Sequence, residues 1–476
     1  MKIFNMPGKR AAAKLAIVTL IALAAVYALL YPALRAGAGT IAHQLCSQSF
    51  ISGVPQDITR NELLPNLVGP AMRLAHYDED DSAGTVDASL LFVHAHAKYQ
   101  KGWGCRLEFG EPMTALPSPQ PLAPFAPRLA GAPHIDANGD GSAPARPVVI
   151  TSPAMAAALA REFTDTPDAD PRHVKAVVIL KDGHIVAERY AEHYGPETSV
   201  MSFSVSKSIT NALLAILVRQ GRLDMNKPVA VREWQTPGDP RARIRADDLL
   251  RMASGLDAKE GGSGLDPANQ MFYNRNDMAA YAATRPLKIA PATEWEYTSV
   301  NTLLLDRLAG DIIGGGPQGV RDFAERELFR PLGMKGVTME FDGAGTFLGA
   351  SHLYATARDF ARFGELYLND GIAPDGHRLL PEGWVAYSRR STLGSPYGAG
   401  FWTNDGPSDF AAHNVAQGFP KDGYFASGNG GQRIYIIPSA HIVMVRFGYS
   451  RQPSFGLAED LKLLKVALEE TKSNRS

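Results

Sequence analysis

The sequence predicts an α+β domain, with one antiparallel sheet flanked by helices and a separate helical lobe. Two observations carry this. Strand-like pairs stand near both ends of the region from about 170 to 450, and a mainly helical stretch lies between them. Residues 174–180 and 185–190 are rich in Val, Ile and Ala, and Asp182-Gly183 between them is a strong hairpin signal. Residues 432–437 and 441–447 repeat the pattern around Pro438-Ser439. Hairpins at both ends imply that the first and last strands meet in one sheet.

The intervening elements follow from periodicity and stop signals. A helix starts at about Ser204, carries Leu213, Leu214, Leu217 and Val218, and stops at Gly221. Further helices are expected over 246–253, 277–284, 300–313, 321–329 and 356–369, and a last amphipathic one over 456–470. No repeat of solenoid length is present.

The N-terminus reads differently. Lys2, Lys9, Arg10 and Lys14 precede an uncharged stretch, 15–34. About 20 such residues can cross a hydrocarbon core of roughly 30 Å as a helix. Basic residues ahead of it place the N-terminus in the cytoplasm and the rest outside. The expectation is a single-pass helix in the inner (cytoplasmic) membrane, with the remaining chain on the periplasmic, extracytoplasmic side. A cleaved signal peptide ending near Ala36-Gly37-Ala38 is the alternative, although the length favours an anchor. Residues 1–38 form this anchor or signal, 39–150 an N-terminal extension, and 151–476 the main domain. The extension is loop-rich, with prolines clustered over 117–127. Its 136–141 loop imitates half of a calcium loop, but Pro147 stands where the bidentate Glu belongs, so it reads as a turn. Cys46 and Cys105, the only cysteines, both fall in the exported part, which favours a disulfide.

Composition excludes several functions. A net charge of −1 provides no basic field for nucleic acid. His94 and His96 lack further ligands at metal spacing, and alternation in a strand explains them. No Gly-rich phosphate loop follows a strand. No metal or organic cofactor is implied, and nothing sets the oligomeric state.

One motif carries chemistry. In Ser204-Val205-Ser206-Lys207, residues three apart share a helix face, about 5–6 Å between Cβ atoms. Lys207 can therefore reach the Ser204 hydroxyl. Neutral, it can take the serine proton. The helix N-terminus favours developing negative charge. This spacing alone recurs by chance in a chain of 476 residues. Its context is more specific. It is followed in order by Gly221-Arg-Leu-Asp224, then Leu249-Leu-Arg-Met-Ala-Ser-Gly-Leu256, Trp295-Glu-Tyr-Thr-Ser-Val-Asn301, Phe329-Arg-Pro-Leu-Gly-Met334 and Gly428-Asn-Gly-Gly431.

With these motifs in order, residues of about 170–450 resemble the penicillin-recognising superfamily of class C β-lactamases and D-alanyl-D-alanine peptidases. The likeness is greatest to its esterase and 6-aminohexanoate-dimer hydrolase branch. The resemblance implies a β-lactamase/transpeptidase-like fold, Ser204 as nucleophile, and Lys207 and Tyr297 as proton-transfer groups. The family's Tyr-x-Asn reads Tyr297-Thr298-Ser299 here, so Ser299 takes the substrate-binding place. The family's Lys-Thr-Gly is absent: the strand before Gly430-Gly431 reads Tyr424-Phe-Ala-Ser-Gly-Asn429. The cation for a substrate carboxylate is then missing unless Arg433 substitutes, which argues against β-lactamase and peptidoglycan-peptidase activity. An oxyanion hole remains possible from the N–H groups of Ser204 and of Asn429 or Gly428. Trp402 and Gly428 are expected to line the substrate pocket. The function implied is hydrolysis of a small-molecule amide or ester through an acyl-Ser204 intermediate. The alternative is a non-catalytic penicillin-recognising sensor or scaffold domain in the envelope.

Overall fold

The computed structural model describes residues 9–118, 152–165, 170–451 and 456–473. Its first sheet is an antiparallel meander of β1 (Ala75–Asp80), β2 (Thr85–Leu90), β3 (Val93–Gln100) and β4 (Gly104–Glu108). The second holds β5 (Val174–Lys181) and β6 (His184–Tyr190). A small third sheet is made of β7 (Val200–Met201), β8 (Thr338–Met339) and β9 (Leu353–Ala355). Four late strands return to the second sheet: β10 (Trp402–Thr403), β11 (Tyr424–Gly428), β12 (Gln432–Ile437) and β13 (Ile442–Gly448), giving the order β10-β11-β12-β13-β5-β6.

Local chemistry explains this sheet. Asp182 and Gly183 take φ of 50° and 78°, the positive pair that a tight hairpin needs to match strand twist. The chain ends meet through β13 and β5, antiparallel from Ile442↔Lys181 to Phe447↔Ala176. Side chains of β5 alternate between faces. Ala176, Val178 and Leu180 join the main core, while Val174, Val177 and Ile179 join a second cluster with Met155, Leu461 and Leu464. The first face is covered by the Ser206–Arg219 and Ala357–Leu368 helices, the second by the Pro153–Glu162 and Leu457–Ser473 helices. Covering both faces is why the strands read as nearly unbroken apolar runs.

The helical lobe contains the Pro267–Asn274, Met278–Ala283 and Ser299–Ile313 helices. Two expected helices differ in outline. The expected 246–253 helix stops at Leu250, because the chain must turn through Met252 at positive φ (58°). The expected helix at Ser204 begins instead as a tight 3-10 turn, Phe203–Val205, followed by Ser206–Arg219.

The N-terminal expectation requires correction. Among the described residues no helix is long and apolar enough to cross a membrane. The transmembrane helix, the membrane partner and the single-pass inner-membrane location are therefore not supported. The apolar stretch belongs to a longer helix, Lys9–Ser47. Its later part is protein core: Ala36, Ala38, Ile41, Ala42, Leu45 and Cys46 are all buried. Small apolar side chains there pack against β2 and β3 and join one cluster with Leu214 and Phe360. Gln270 and Asn274 donate to the Pro32 carbonyl (3.1 and 2.9 Å), fixing this helix to the lobe. The boundary expected at 150, most of the 117–127 prolines and the 136–141 loop lie outside the described residues.

Cys46 of the long helix and Cys105 of β4 form a disulfide across 59 residues of sequence. Both are buried. Nearby, Glu340 of the main domain accepts from the Cys105 amide (2.6 Å) and pairs with His43 Nε2 (2.8 Å). His352 lies beside them, its ring centroid 4.5 Å from that of His43. Removing the crosslink as Cys46→Ala/Cys105→Ala should cost about 2–4 kcal/mol of stability, read as a lowered denaturant midpoint. Thiol titration of the unreduced, denatured protein should find no free thiol, and recovery of two thiols would refute the crosslink.

Candidate active site

Val200–Leu217 is buried throughout except for Ser204, which is half-exposed. The chain leaves β7 and turns sharply at Phe203, whose φ of 45° is unusual for a bulky residue and costs backbone energy. That turn lifts Ser204 out of the buried run. Gly428 at the end of β11 faces the turn: a Cβ there would meet the Ser202 carbonyl at 2.4 Å and the Ser204 nitrogen at 3.1 Å. Only glycine permits the strand to approach the serine amide this closely.

Lys207 is 1% exposed. Its Nζ lies 2.8 Å from Ser204 Oγ, 3.0 Å from Ser299 Oγ and 2.8 Å from the Ala350 carbonyl. Burial pulls this ammonium well below an ordinary lysine, to about 8, against the opposing pull of Glu260 and Asp306. Asp306 sits beneath it and accepts from Thr210 Oγ1 (2.7 Å), and burial holds its carboxyl well above the usual range.

Tyr297 approaches from the lobe. The Lys207 ammonium lies 5.1 Å from its ring centroid, and its hydroxyl is hydrogen-bonded with Ser204. Burial raises the Tyr297 phenol well above its usual value, reinforced by Tyr397 and Glu260 and only partly offset by the Ser204 bond. The ring packs against Tyr397 (5.6 Å) and Trp402 (5.8 Å). Trp402 in turn pairs with Phe425 across β10 and β11. Ser299 opens the Ser299–Ile313 helix, and its amide donates to Glu260 Oε2 (2.7 Å). A carboxylate at a helix N-terminus is favourably placed.

These groups border one cavity of about 1300 Å³, lined among others by Ser204, Tyr297, Ser299, Trp402, Gly428 and Asn429. The fold thus brings Ser204, Lys207, Tyr297, Ser299, Trp402, Gly428 and Asn429 together from four separate stretches of chain. Asn429 is half-buried, and its side chain accepts from the Gly430 amide. Arg433 does not join them. It lies over the Phe425 ring (5.9 Å) on the face covered by the C-terminal helix, where Asp460 feels its charge. Arg433 is not among the residues that line the cavity, although its cross-strand partner Ser427 is; its side chain lies instead over Phe425, within reach of the Asp460 charge.

Two contributions escaped sequence reasoning. Glu260 stands in a Gly-rich loop with no periodicity to mark it, yet it contacts Ser299 and is felt by Lys207. The 60–77 region, read only as an extension, supplies one wall of the cavity, including Arg60, Arg73 and Tyr77. No local pattern announces either, because both depend on long-range packing.

Comparison with known proteins agrees with this architecture. The Beta-lactamase family profile matches residues 159–468. A 6-aminohexanoate-dimer hydrolase from Paenarthrobacter ureafaciens is 27% identical over 263 residues, covering 52% of this chain and 64% of that protein. The chain therefore spans a little under two thirds of that relative's length. A Bacillus anthracis protein provisionally named a 6-aminohexanoate-dimer hydrolase superposes with a TM-score of 0.54 at 19% identity, over 63% of this chain and 80% of that one. A family VIII carboxylesterase gives 0.52 at 15% identity, over 68% of this chain and 100% of its own. At these identities the structural likeness speaks for the fold, and the profile match covers well over half the sequence: the chain belongs to the Beta-lactamase family and is a homologue of 6-aminohexanoate-dimer hydrolase.

Proposed function

We propose that this protein is a serine hydrolase that cleaves a small-molecule amide or ester through an acyl-Ser204 intermediate. The observation that carries the reading is Lys207 Nζ at 2.8 Å from Ser204 Oγ, in a setting that lowers its proton affinity to about 8. A neutral amine has two N–H groups and one lone pair. Two N–H groups match Ser299 Oγ and the Ala350 carbonyl, leaving the lone pair for the Ser204 proton.

The steps follow from those positions. Lys207 accepts the Ser204 proton as Oγ attacks the carbonyl carbon. The carbonyl π electrons move to oxygen, and the Ser204 amide with that of Gly428 or Asn429 receives the oxyanion. Tyr297, kept protonated by its burial, donates toward the leaving nitrogen or oxygen and is reprotonated from the Lys207 side. Collapse expels the amine or alcohol and leaves the acyl-serine. Water then attacks the acyl carbon, gives its proton to the same pair, and releases the acid with Ser204 restored. Ser299 and Trp402 serve as substrate contacts beside the reacting atoms.

A fluorophosphonate probe tests the nucleophile. The adduct should map to Ser204, and Ser204→Ala should lose both labelling and turnover of a nitrophenyl ester. An adduct on another residue, or full activity in that variant, would sink the reading. Tyr297→Phe should lower kcat by on the order of 10²–10⁴, as for groups that move protons in the transition state.

The base role predicts a pH profile. Lys207 must be neutral, so kcat/KM should rise with pH and level off above about 8. Glu260 favours the charged lysine and raises its proton affinity. Glu260→Gln should therefore move the midpoint to lower pH. A midpoint that stays put or rises would contradict this electrostatic assignment.

A further inference from the structure

The cavity holds more than the reacting groups. The charged side chains among its described lining residues are Glu260, Arg60, Arg73 and Arg451. Their distribution is uneven. Glu260 belongs to the catalytic end, where it contacts Ser299 and acts on Lys207. The three guanidinium groups stand on the side built by residues 60–77 and by the chain just after β13.

This basic wall is held firmly from behind. Its turns run Thr59–Leu63, Leu64–Val68 and Gly69–Leu74, with Leu63 and Leu64 buried in the main core. Asn66 ties the wall to the hydrolase body, donating to the Tyr449 carbonyl while its Oδ1 accepts from Arg451 Nε (3.0 Å). The acid of this segment is used elsewhere: Glu62 pairs with Lys175 and His173. Arg60 has only neutral partners, Tyr77 Oη at 3.3 Å and Asn61 Oδ1 at 3.4 Å. The Arg73 side chain forms no hydrogen bond or ion pair with a described residue. Besides its bond to Asn66, Arg451 has one long, exposed ion pair, 3.8 Å to Asp170. Three cations thus border the cavity, and the one carboxylate among its described lining residues, Glu260, stands at the catalytic end. Guanidinium groups present paired N–H donors that match a carboxylate, and a fixed platform reduces the ordering cost of binding one.

We propose that Arg60, Arg73 and Arg451 form an anion-binding subsite, and that the substrates of the Ser204 centre are amides or esters bearing a carboxylate remote from the scissile bond. The substrate class rests on the hydrolase reading above; the anion site does not. The N-terminal segment would then be a specificity element of the catalytic cavity.

Two matched ester pairs test this. Mono-4-nitrophenyl adipate and its methyl-capped counterpart differ by one carboxylate on the acyl side. 4-Acetoxybenzoate and its methyl ester differ by one on the leaving group. In at least one pair the charged member should have the higher kcat/KM, through KM, by about tenfold, as for a hydrogen bond to a charged group near a surface. The advantage should shrink with added salt. In Arg60→Ala/Arg73→Ala, and to a lesser degree in Arg451→Ala, the charged-to-capped ratio should fall towards one. Calorimetric titration of the Ser204→Ala protein with the same esters reads binding without turnover, and should give the same preference and the same loss. If charged and capped members bind that protein equally, or if the arginine variants leave the ratio unchanged, the subsite is refuted. Failure of all four esters to turn over in the unmodified protein, with the binding preference intact, would refute the hydrolase reading and leave the anion site standing.

Discussion

Burying the Lys207 ammonium next to Ser204 is the constraint that arranges everything else. Removing an ammonium from water costs several kcal/mol unless polar atoms replace the solvent. Here three acceptors do so, and each comes from a different element: the turn at Ser204, the start of the Ser299–Ile313 helix, and the loop at Ala350. None is a carboxylate in contact. The charge is therefore tolerated rather than neutralised, and its proton affinity falls. The fold has to bring sheet edge, lobe and loop to one point within about a hydrogen-bond length. A shift of any of them by a fraction of that length would expose a buried cation with an unpaired N–H.

The N-terminal segment takes part in this positioning. Glu340 accepts from His43 and from the Cys105 amide, so it joins the long helix and β4 to the main domain. The Glu340 carbonyl also accepts from the Leu348 amide, and its own amide donates to the His352 carbonyl. These bonds bracket the loop that offers Ala350 to Lys207. A Cβ at Gly104 would collide with the Glu340 carboxylate at 2.5 Å, so the junction has no room for a larger residue. The disulfide lies at the same junction, and it holds the helix against β4 where the loop is braced. The segment that walls the cavity thus also supports the lysine.

What the sequence disclosed follows from distance along the chain. Ser204 and Lys207 were legible because one helical turn fixes their relation whatever the fold. Asp182-Gly183 was legible because a two-residue hairpin turn demands positive φ. Tyr297 and Ser299 required the order of several motifs, since nothing local brings them to Ser204. Glu260 lies beyond either kind of signal: its role depends on how a loop packs against a helix start. Arg433 shows a similar limit: its cross-strand partner Ser427 lines the cavity, yet its own long side chain lies over Phe425, a choice that no local pattern announces. The 15–34 stretch misled for a different reason. Leu15, Leu20 and Leu29 of that stretch are exposed, and it is the continuation of the same helix, from Ala36 to Cys46, that is buried in core, so apolar composition along the chain did not mark which part of the helix packs.

The same burial moves Lys207 and Tyr297 in opposite directions, and the pair is chemically useful because of it. Low polarity penalises whichever form is charged. It favours the amine over the ammonium and the phenol over the phenolate. At mildly basic pH, above about 8, the two groups can thus be a neutral base and a neutral acid facing one serine. A site built from a lysine cation and a tyrosine anion would already hold an ion pair, and a transition state would have to compete with it. In the neutral arrangement the charge that appears during attack is new to the cavity. In the proposed reaction the dipoles aimed at it are the Ser204 amide and that of Gly428 or Asn429, where the absence of a side chain at Gly428 allows the strand to approach closely. Preorganised donors of this kind stabilise developing charge without having to reorient. The strained turn at Phe203 belongs to the same arrangement, because it holds the Ser204 amide in place before any substrate arrives.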